Sequence, residues 1–230
     1  MIKHLAVVMD GNRRWARKNK MEALFGHSKG GVAAAKKTIE FCLENGIKYL
    51  SLYTFSLENF KRSDLEKKFL FDLLMEVCTT DVDQLIHQGI RVRFIGDWSL
   101  FPQDVAISCK RLEQQTESGA RLNLNILFCY GARQEIIAAV KTLFDQVQLG
   151  KIDKKELTLK NFEDCLWTAH IPEPELIIRT GGGQRLSNFL LYQAAYSEFC
   201  FLDCLWPEIT KDHLVKALND FNQTQRNFGI

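Results

Sequence analysis

No stretch of this chain carries the ~18 consecutive apolar residues of a membrane span. The N-terminal MIKHLAVVMDGNRRW has a short apolar run that leads straight into a polar turn, which reads as a buried strand and not a signal peptide. Charge of one sign is missing as well. Thirty basic residues stand against twenty-eight acidic ones, a net charge of +2, without the basic excess of a nucleic-acid protein. The seven cysteines are odd in number and include no Cys-x-x-Cys pair. Most have apolar neighbours, as Cys42 and Cys129 do, so they read as buried reduced thiols of a cytoplasmic protein. Cys200, Cys204 and His213 make only a weak zinc candidate, because a structural zinc takes four ligands. Prolines number four, and no Pro/Gly/Ser linker, low-complexity tract or repeat divides the chain. Residues 1–230 therefore read as one domain.

What is present is an alternation of short apolar runs and longer helical patterns. Strands are expected at residues 4–10, 49–56, 90–97, 122–130, 175–180 and 198–202. Helices are expected at 26–45 with Gly46 as its C-cap, and from Ser63 towards Gly89 with Glu66 in a capping box. Others fall at 102–118, 132–148, a short one after Thr158, a helical turn at 188–195, and 210–227. Six strands alternating with helices predict an α/β domain with a mostly parallel six-stranded central sheet flanked by helices. Ligands in such folds sit beyond the C-terminal ends of the strands.

Three strand ends carry chemistry. After the first comes Asp10-Gly11-Asn12-Arg13-Arg14-Trp15. Gly11 permits a tight turn, the following amides suit an anion, and two arginines suit phosphate oxygens. A carboxylate beside a diphosphate would repel it, so Asp10 implies a bound Mg²⁺. After the second comes Ser56-Leu57-Glu58-Asn59-Phe60-Lys61-Arg62, a mixture suited to a charged head with an apolar tail. After the fifth comes Arg179-Thr180-Gly181-Gly182-Gly183-Gln184-Arg185-Leu186-Ser187. Its three glycines are expected to leave backbone amides open to an anion, joined by Arg179, Arg185 and Ser187. It is neither a Walker A loop nor a dinucleotide fingerprint. His27, at a helix start, could reach phosphate or serve as a cap. The three ends together imply a site for two phosphate-bearing substrates.

The segments MDGNRRWA, FGHSKG, LYTFSLENFKR and IRTGGGQRLSNFLLYQAAYSEFCFLDCLWPE, with the terminal RNFG, closely resemble the cis-prenyltransferases in order and spacing. The resemblance implies a homodimer with an apolar product tunnel under the sheet. It implies condensation of isopentenyl diphosphate onto farnesyl diphosphate with Mg²⁺, and transient membrane contact for product release. Carried over by motif, Asp10 is the essential carboxylate and metal ligand, and Glu198 a second metal carboxylate. Gly11, Asn12, Arg13, Arg14 and His27 hold the allylic diphosphate, with Trp15 beside them. Ser56, Leu57, Glu58, Phe60 and Arg62 line the reaction zone, where Asn59 aids proton removal. Arg179, Arg185, Leu186 and Ser187 hold isopentenyl diphosphate. The chain departs from the bacterial pattern at Ala23, where an arginine is usual, at Phe60 for tryptophan and at Ser63 for proline. Arg13 could replace the charge absent at Ala23. The alternatives are a shorter-chain synthase and a non-catalytic subunit. The absence of an Asp-Asp-x-x-Asp motif speaks against the all-α trans-synthases.

Overall fold

A computed structural model describes residues 2–224, and in it six strands form one sheet in the order β3-β4-β2-β1-β5-β6. The strands are β1 (His4–Val8), β2 (Tyr49–Ser56), β3 (Ile90–Ile95), β4 (Leu122–Tyr130), β5 (Leu176–Arg179) and β6 (Glu198–Phe201). Every neighbouring pair is parallel, so the expected "mostly parallel" sheet is wholly so. All five residues of β1 are buried, as a strand covered on both faces requires.

Side chains alternate between two cores. Leu5, Val7, Leu50, Leu52, Ile126 and Phe128 point to one face. It is covered by α2 (Val32–Glu44), α3 (Asp64–Thr80), α5 (Gln103–Gln115) and α8 (Lys211–Gln223). Ala6, Val8, Tyr53, Leu127 and Ile177 point to the other, against Phe189, Leu190 and Ala194. Beside that second face α6 (Ala132–Gln148) and α7 (Leu159–Glu163) pack together. The chain leaves β1 towards β2 on one side and later places β5 on the other. That reversal opens a crevice beyond the C-terminal ends of β1 and β5.

Three expected helices differ. The one at 26–45 begins as a π-helical turn, Gly26–Gly31, before α2. The one from Ser63 breaks at Asp81 (φ −104°, ψ 7°), and α4 (Val82–His87) follows. Thr79 and Thr80, weak helix formers, turn their hydroxyls back onto Met75 and Glu76 carbonyls, while the Asp81 carboxylate is drawn to Lys36. Residues 188–195 form turns rather than a helix, with Ser187, Asn188 and Leu190 at positive φ. Tertiary bonds hold this segment instead, from the Ala132 amide to the Asn188 carbonyl and from Gln193 to Glu135. The RNFG tail lies outside the described residues. The cysteines are unpaired, five of them buried, and among the described residues no group of three metal-ligating side chains converges.

Two buried polar clusters fix the layers. Glu135 is fully buried and accepts from Tyr130, Thr168 and Gln193, tying β4 and α6 to the loops after α7 and β5. His4, 1% exposed, donates from Nδ1 to the Pro172 carbonyl at 2.6 Å and accepts from the Ser51 hydroxyl at 2.8 Å. Burial pushes His4 down to about 4, against the smaller raising effects of Pro172 and Glu175.

The unfolded chain protonates this histidine near 6.5, so stability present above that pH is lost as pH falls towards 4. The loss is on the order of 3 kcal/mol. Urea unfolding across pH 7 to 4 should show a shallower decline in His4→Asn than in the wild type. Parallel profiles would remove His4 as a cause.

Candidate active site

The register Val8↔Arg179 sets the two strand ends side by side. From them Asp10 and Arg179 meet: an Arg179 Nη donates to Asp10 Oδ2 at 2.8 Å, and Arg14 donates to Oδ1 at 3.1 Å. The Asp10 amide donates to the Thr180 hydroxyl, which in turn donates to the Asp10 carbonyl at 2.8 Å. Two glycines permit this closeness. Gly11 has φ +114°, and a Cβ there would lie 3.0 Å from Leu205. Gly181 has φ +81°, and its Cβ would lie 2.3 Å from the Arg14 guanidinium.

Arg179 anchors the loop that follows β5. Its side chain is 5% exposed and also donates to the Arg185 carbonyl at 2.6 Å and the Ser187 hydroxyl at 2.9 Å. The triple glycine does not present open amides as expected. Gly181 and Gly182 donate to the Cys204 and Leu202 carbonyls, because the loop is stitched to the segment leaving β6. The donors left at this strand end are mainly side chains. A Cβ on Gly183 would lie 3.0 Å from Arg179 Nε and 3.3 Å from an Arg185 Nη, so both guanidinium groups flank that glycine.

The opposite wall comes from α1 (Asn12–Lys18), the π-turn and the end of β2. A cavity of about 310 Å³ lies against Arg13, Arg14, Arg17, Arg62 and His27. Arg62 donates to Glu66 at 2.9 Å, and Arg13 lies 3.9 Å from the same carboxylate. Glu66 thus neutralises part of the cluster rather than closing the capping box, although Ser63 does cap α3 by accepting from the Glu66 amide. Burial, then Arg62 and Arg13, push His27 down to about 4, so its imidazole is neutral near pH 7. The Ser56 amide donates to Asn59 Oδ1 at 3.1 Å, which turns the chain after β2. Among the described residues Asn12 Oδ1, His27 Nε2 and Arg179 Nε are buried polar atoms without a partner, as expected of a site that takes a ligand.

Behind this mouth a cavity of about 940 Å³ runs between the sheet and helices α2 and α3. Its mouth includes Asp10, His27, Asn59, Arg62, Arg179 and Ser187. Its walls are Val32, Ile39, Leu52, Leu74, Val77 and Ile126. Asn12, Ser56, Glu58 and Leu186 also line it, while Gly11 borders the smaller cavity.

Five expected site residues, Glu198 among them, stand back from both cavities. Trp15 packs near Gly30, Phe60 stacks edge-on to Phe55, Leu57 lies by Gly131, and Arg185 is on the exposed loop. Ala23 lines neither cavity. Glu198 pairs with Leu176 at the start of β5, three residues before the Arg179 level, or roughly 10 Å along the strand. It and Asp10 therefore occupy opposite ends of the sheet within one chain. Arg17, Tyr53 and Arg133 border the site without having been singled out in the sequence, and Glu66, expected only as a capping residue, contacts its arginines. Arg17 follows Arg13 by one helical turn, which was the available signal.

Asp10 lines the mouth and accepts from two arginines, Arg14 and Arg179. Mg²⁺ is commonly held by one or two carboxylates plus substrate phosphates, so this donor set fits that ion once a diphosphate is present.

A family model described as "Putative undecaprenyl diphosphate synthase" matches residues 8–229. An isoprenyl transferase of Clostridium perfringens is 40% identical over 229 residues, covering 100% of this chain and 90% of the relative. A ditrans,polycis-undecaprenyl-diphosphate synthase of Xanthomonas axonopodis pv. citri, (2E,6E)-farnesyl-diphosphate specific, is 38% identical over 228 residues, 99% of this chain and 88% of the relative. The crystal structure of lavandulyl diphosphate synthase from Lavandula x intermedia in complex with dimethylallyl diphosphate superposes with a TM-score of 0.95 at 31% identity, covering 100% and 98%. The motifs at the strand ends, the six-stranded α/β fold and matches along nearly the whole chain agree: the protein belongs to the undecaprenyl diphosphate synthase family of prenyltransferases.

Proposed function

We propose that the protein condenses isopentenyl diphosphate onto an allylic diphosphate, farnesyl diphosphate first, and repeats the step to make a long polyprenyl diphosphate, the undecaprenyl carrier lipid of cell-wall synthesis. One observation carries the reading. A single cavity of about 940 Å³ joins a mouth of arginines and Asp10 to apolar walls, which suits a diphosphate head with a growing hydrocarbon tail. Arg13, Arg14, Arg62 and His27, with Asn12, hold the allylic diphosphate; Arg179, Arg185 and Ser187 hold isopentenyl diphosphate.

In each turn the allylic C1–O bond breaks and its electron pair leaves with the diphosphate. The double bond of isopentenyl diphosphate supplies the pair for the new carbon–carbon bond, and a proton is lost from the adjacent carbon. The arginines stabilise charge that grows on the leaving group, more in the transition state than before it. The separate loop around Arg179 fixes the second substrate so that its double bond faces the allylic carbon. Asn59 orients the proton-losing carbon near the departing diphosphate oxygens, which accept the proton. Its Oδ1 is held by the Ser56 amide, leaving Nδ2 for substrate. Mg²⁺, held by Asp10 and the substrate phosphates, would offset diphosphate charge.

We place two copies side by side through the β6 edge, where Phe199 and Phe201 stack at 6.1 Å and are 42% and 39% exposed. No described helix is long and apolar enough to cross a membrane, so product delivery to a bilayer is a transient contact. The shorter-product reading has the lavandulyl diphosphate synthase likeness in its favour; the cavity volume favours the long product. Asp10, Asn59 and Arg179 all face the cavity, which supports an active enzyme over a non-catalytic subunit.

Incorporation of labelled isopentenyl diphosphate into extractable lipid tests this directly, with detergent added or omitted to read product release. Asp10→Ala should cut turnover by orders of magnitude in a folded protein, and a chelator should do the same to the wild type. Full activity under either condition would refute the role of Asp10 and its metal.

The two subsites separate kinetically. A lost charge-assisted contact typically weakens binding by ~1.5–3 kcal/mol, roughly 10- to 150-fold. Arg185→Ala should raise the KM for isopentenyl diphosphate, and Arg14→Ala that for farnesyl diphosphate. The opposite pattern would exchange the subsites.

Sedimentation equilibrium should give a dimer for the wild type and a monomer for Phe201→Glu. A monomeric wild type at micromolar concentration would reject the edge as an interface.

A further inference from the structure

Three arginines line the large cavity. Arg62 donates to Glu66 and Arg179 to Asp10, so both of those charges are answered within the chain. The third is Arg133, the second residue of α6, and among the described residues its guanidinium has neither a carboxylate nor a hydrogen-bond partner. The first turn of a helix is an unfavourable place for a cation, because the helix dipole is positive there. The acid of that turn, Glu135, is fully buried and taken by Tyr130, Thr168 and Gln193, so it does not offset the charge.

A solvated arginine is ordinary on a surface; what sets this one apart is where its backbone is pinned. The Arg133 amide donates to Asn188 Oδ1 at 2.9 Å, and the Ala132 amide donates to the Asn188 carbonyl at 2.9 Å. Asn188 directly follows Ser187, whose hydroxyl accepts from Arg179. The start of α6 is thereby tied to the loop after β5. The Asn188 side-chain amide also donates to Glu58 at 2.9 Å, which answers that carboxylate and leaves the Arg133 charge uncommitted. Glu58, Arg179, Ser187, Asn188 and Arg133 all line the same cavity. Arg179 itself, 4% exposed, has spent donors on Asp10, the Arg185 carbonyl and Ser187, and its buried Nε is unpartnered, a donor kept for a ligand.

We propose that Arg133 is a further binding residue for isopentenyl diphosphate, gripping its diphosphate from α6; the proposal rests on the chain-elongating reading above. Asp10 neutralises much of the Arg179 charge, so a diphosphate at this strand end needs a cation that no carboxylate of the chain has claimed. Arg133 supplies it on a long side chain with a planar fork of donors suited to phosphate oxygens. The smaller cavity, walled by the arginines of α1, does not include Arg133, which sets it on the isopentenyl side. The diphosphate of isopentenyl diphosphate is not the leaving group, so its charge stays the same as the carbon–carbon bond forms. A contact to it is therefore equally strong before and in the transition state, and its loss appears in KM and not in kcat.

Steady-state kinetics with farnesyl diphosphate and labelled isopentenyl diphosphate test this in the wild type, Arg133→Ala and Arg133→Lys. Both variants keep the backbone bond to Asn188, so they probe the side chain alone. Arg133→Ala should raise the KM for isopentenyl diphosphate roughly 10- to 150-fold, the usual effect of losing one charge-assisted contact. The kcat and the KM for farnesyl diphosphate should stay as in the wild type. Arg133→Lys, which keeps the charge without the fork, should recover part of the loss. An unchanged KM for isopentenyl diphosphate in Arg133→Ala overturns the proposal and leaves the elongation reading standing. A rise confined to farnesyl diphosphate overturns it as well, and so does an equal rise for both substrates with a lowered unfolding temperature, which would mark Arg133 as a brace. If the wild type incorporates no isopentenyl diphosphate, the elongation reading fails and takes this role of Arg133 with it.

Discussion

The contact between Arg179 and Asp10 is the constraint on which the site depends. A guanidinium only 5% exposed must have its donors answered, since a buried charge without partners is strongly destabilising. Asp10, the Arg185 carbonyl and the Ser187 hydroxyl answer them, and each belongs to a different part of the mouth. Satisfying one side chain therefore fixes the turn after β1, the loop after β5 and the start of the 188–195 segment together. The parallel register of β1 and β5 makes this possible by setting Val8 beside Arg179. The Nε left over is buried and unpartnered, next to the glycine that Arg185 also flanks.

Much of this was legible in the sequence. β2, β4 and α6 fall at the expected residues because a strong apolar pattern and clear boundary residues agree there. The three strand ends announced themselves by glycine, arginine and carboxylate in short order. Where the reading failed, tertiary bonds outweighed local preference. The segment 188–195 has helical composition, yet Asn188 and Gln193 are taken by α6 and Glu135. The glycine run looked like an amide cradle, but Leu202 and Cys204 carbonyls, distant in sequence from that loop, claim two of its donors. Glu66 read as a cap because position three of a helix is a capping position; Arg62 and Arg13 compete for it and win. Glu198 cannot join Asp10 within one chain, a matter of strand direction that no local motif encodes.

The cavity explains a further feature of the composition. Helices α2 and α3 turn apolar stripes towards the sheet, as helices flanking a parallel sheet do, but the stripes stop short of filling the space. The aromatic group of Phe55, Phe71, Phe101 and Phe128 supplies the dense packing beside it. Of that group only Phe128 borders the cavity, and most of its apolar wall is Val, Leu and Ile. An apolar wall of this kind leaves room for hydrocarbon without offering hydrogen bonds to water.

Electrostatics at the mouth then follows from what the walls cannot provide. Five arginines, Arg13, Arg14, Arg17, Arg62 and Arg179, gather around two carboxylates, Asp10 and Glu66. Without those carboxylates the cations would repel one another at short range in a partly water-free crevice, where Coulomb energies are several times those in bulk water. Each carboxylate is shared by two arginines, which holds the guanidinium groups in place and leaves net positive charge unanswered. His27, kept neutral by burial and by Arg62 and Arg13, adds no further repulsion near pH 7. In the proposed reaction a diphosphate would meet donors already oriented, so little reorganisation would oppose its binding, and the same donors would be in position when its charge grows as the carbon–oxygen bond breaks.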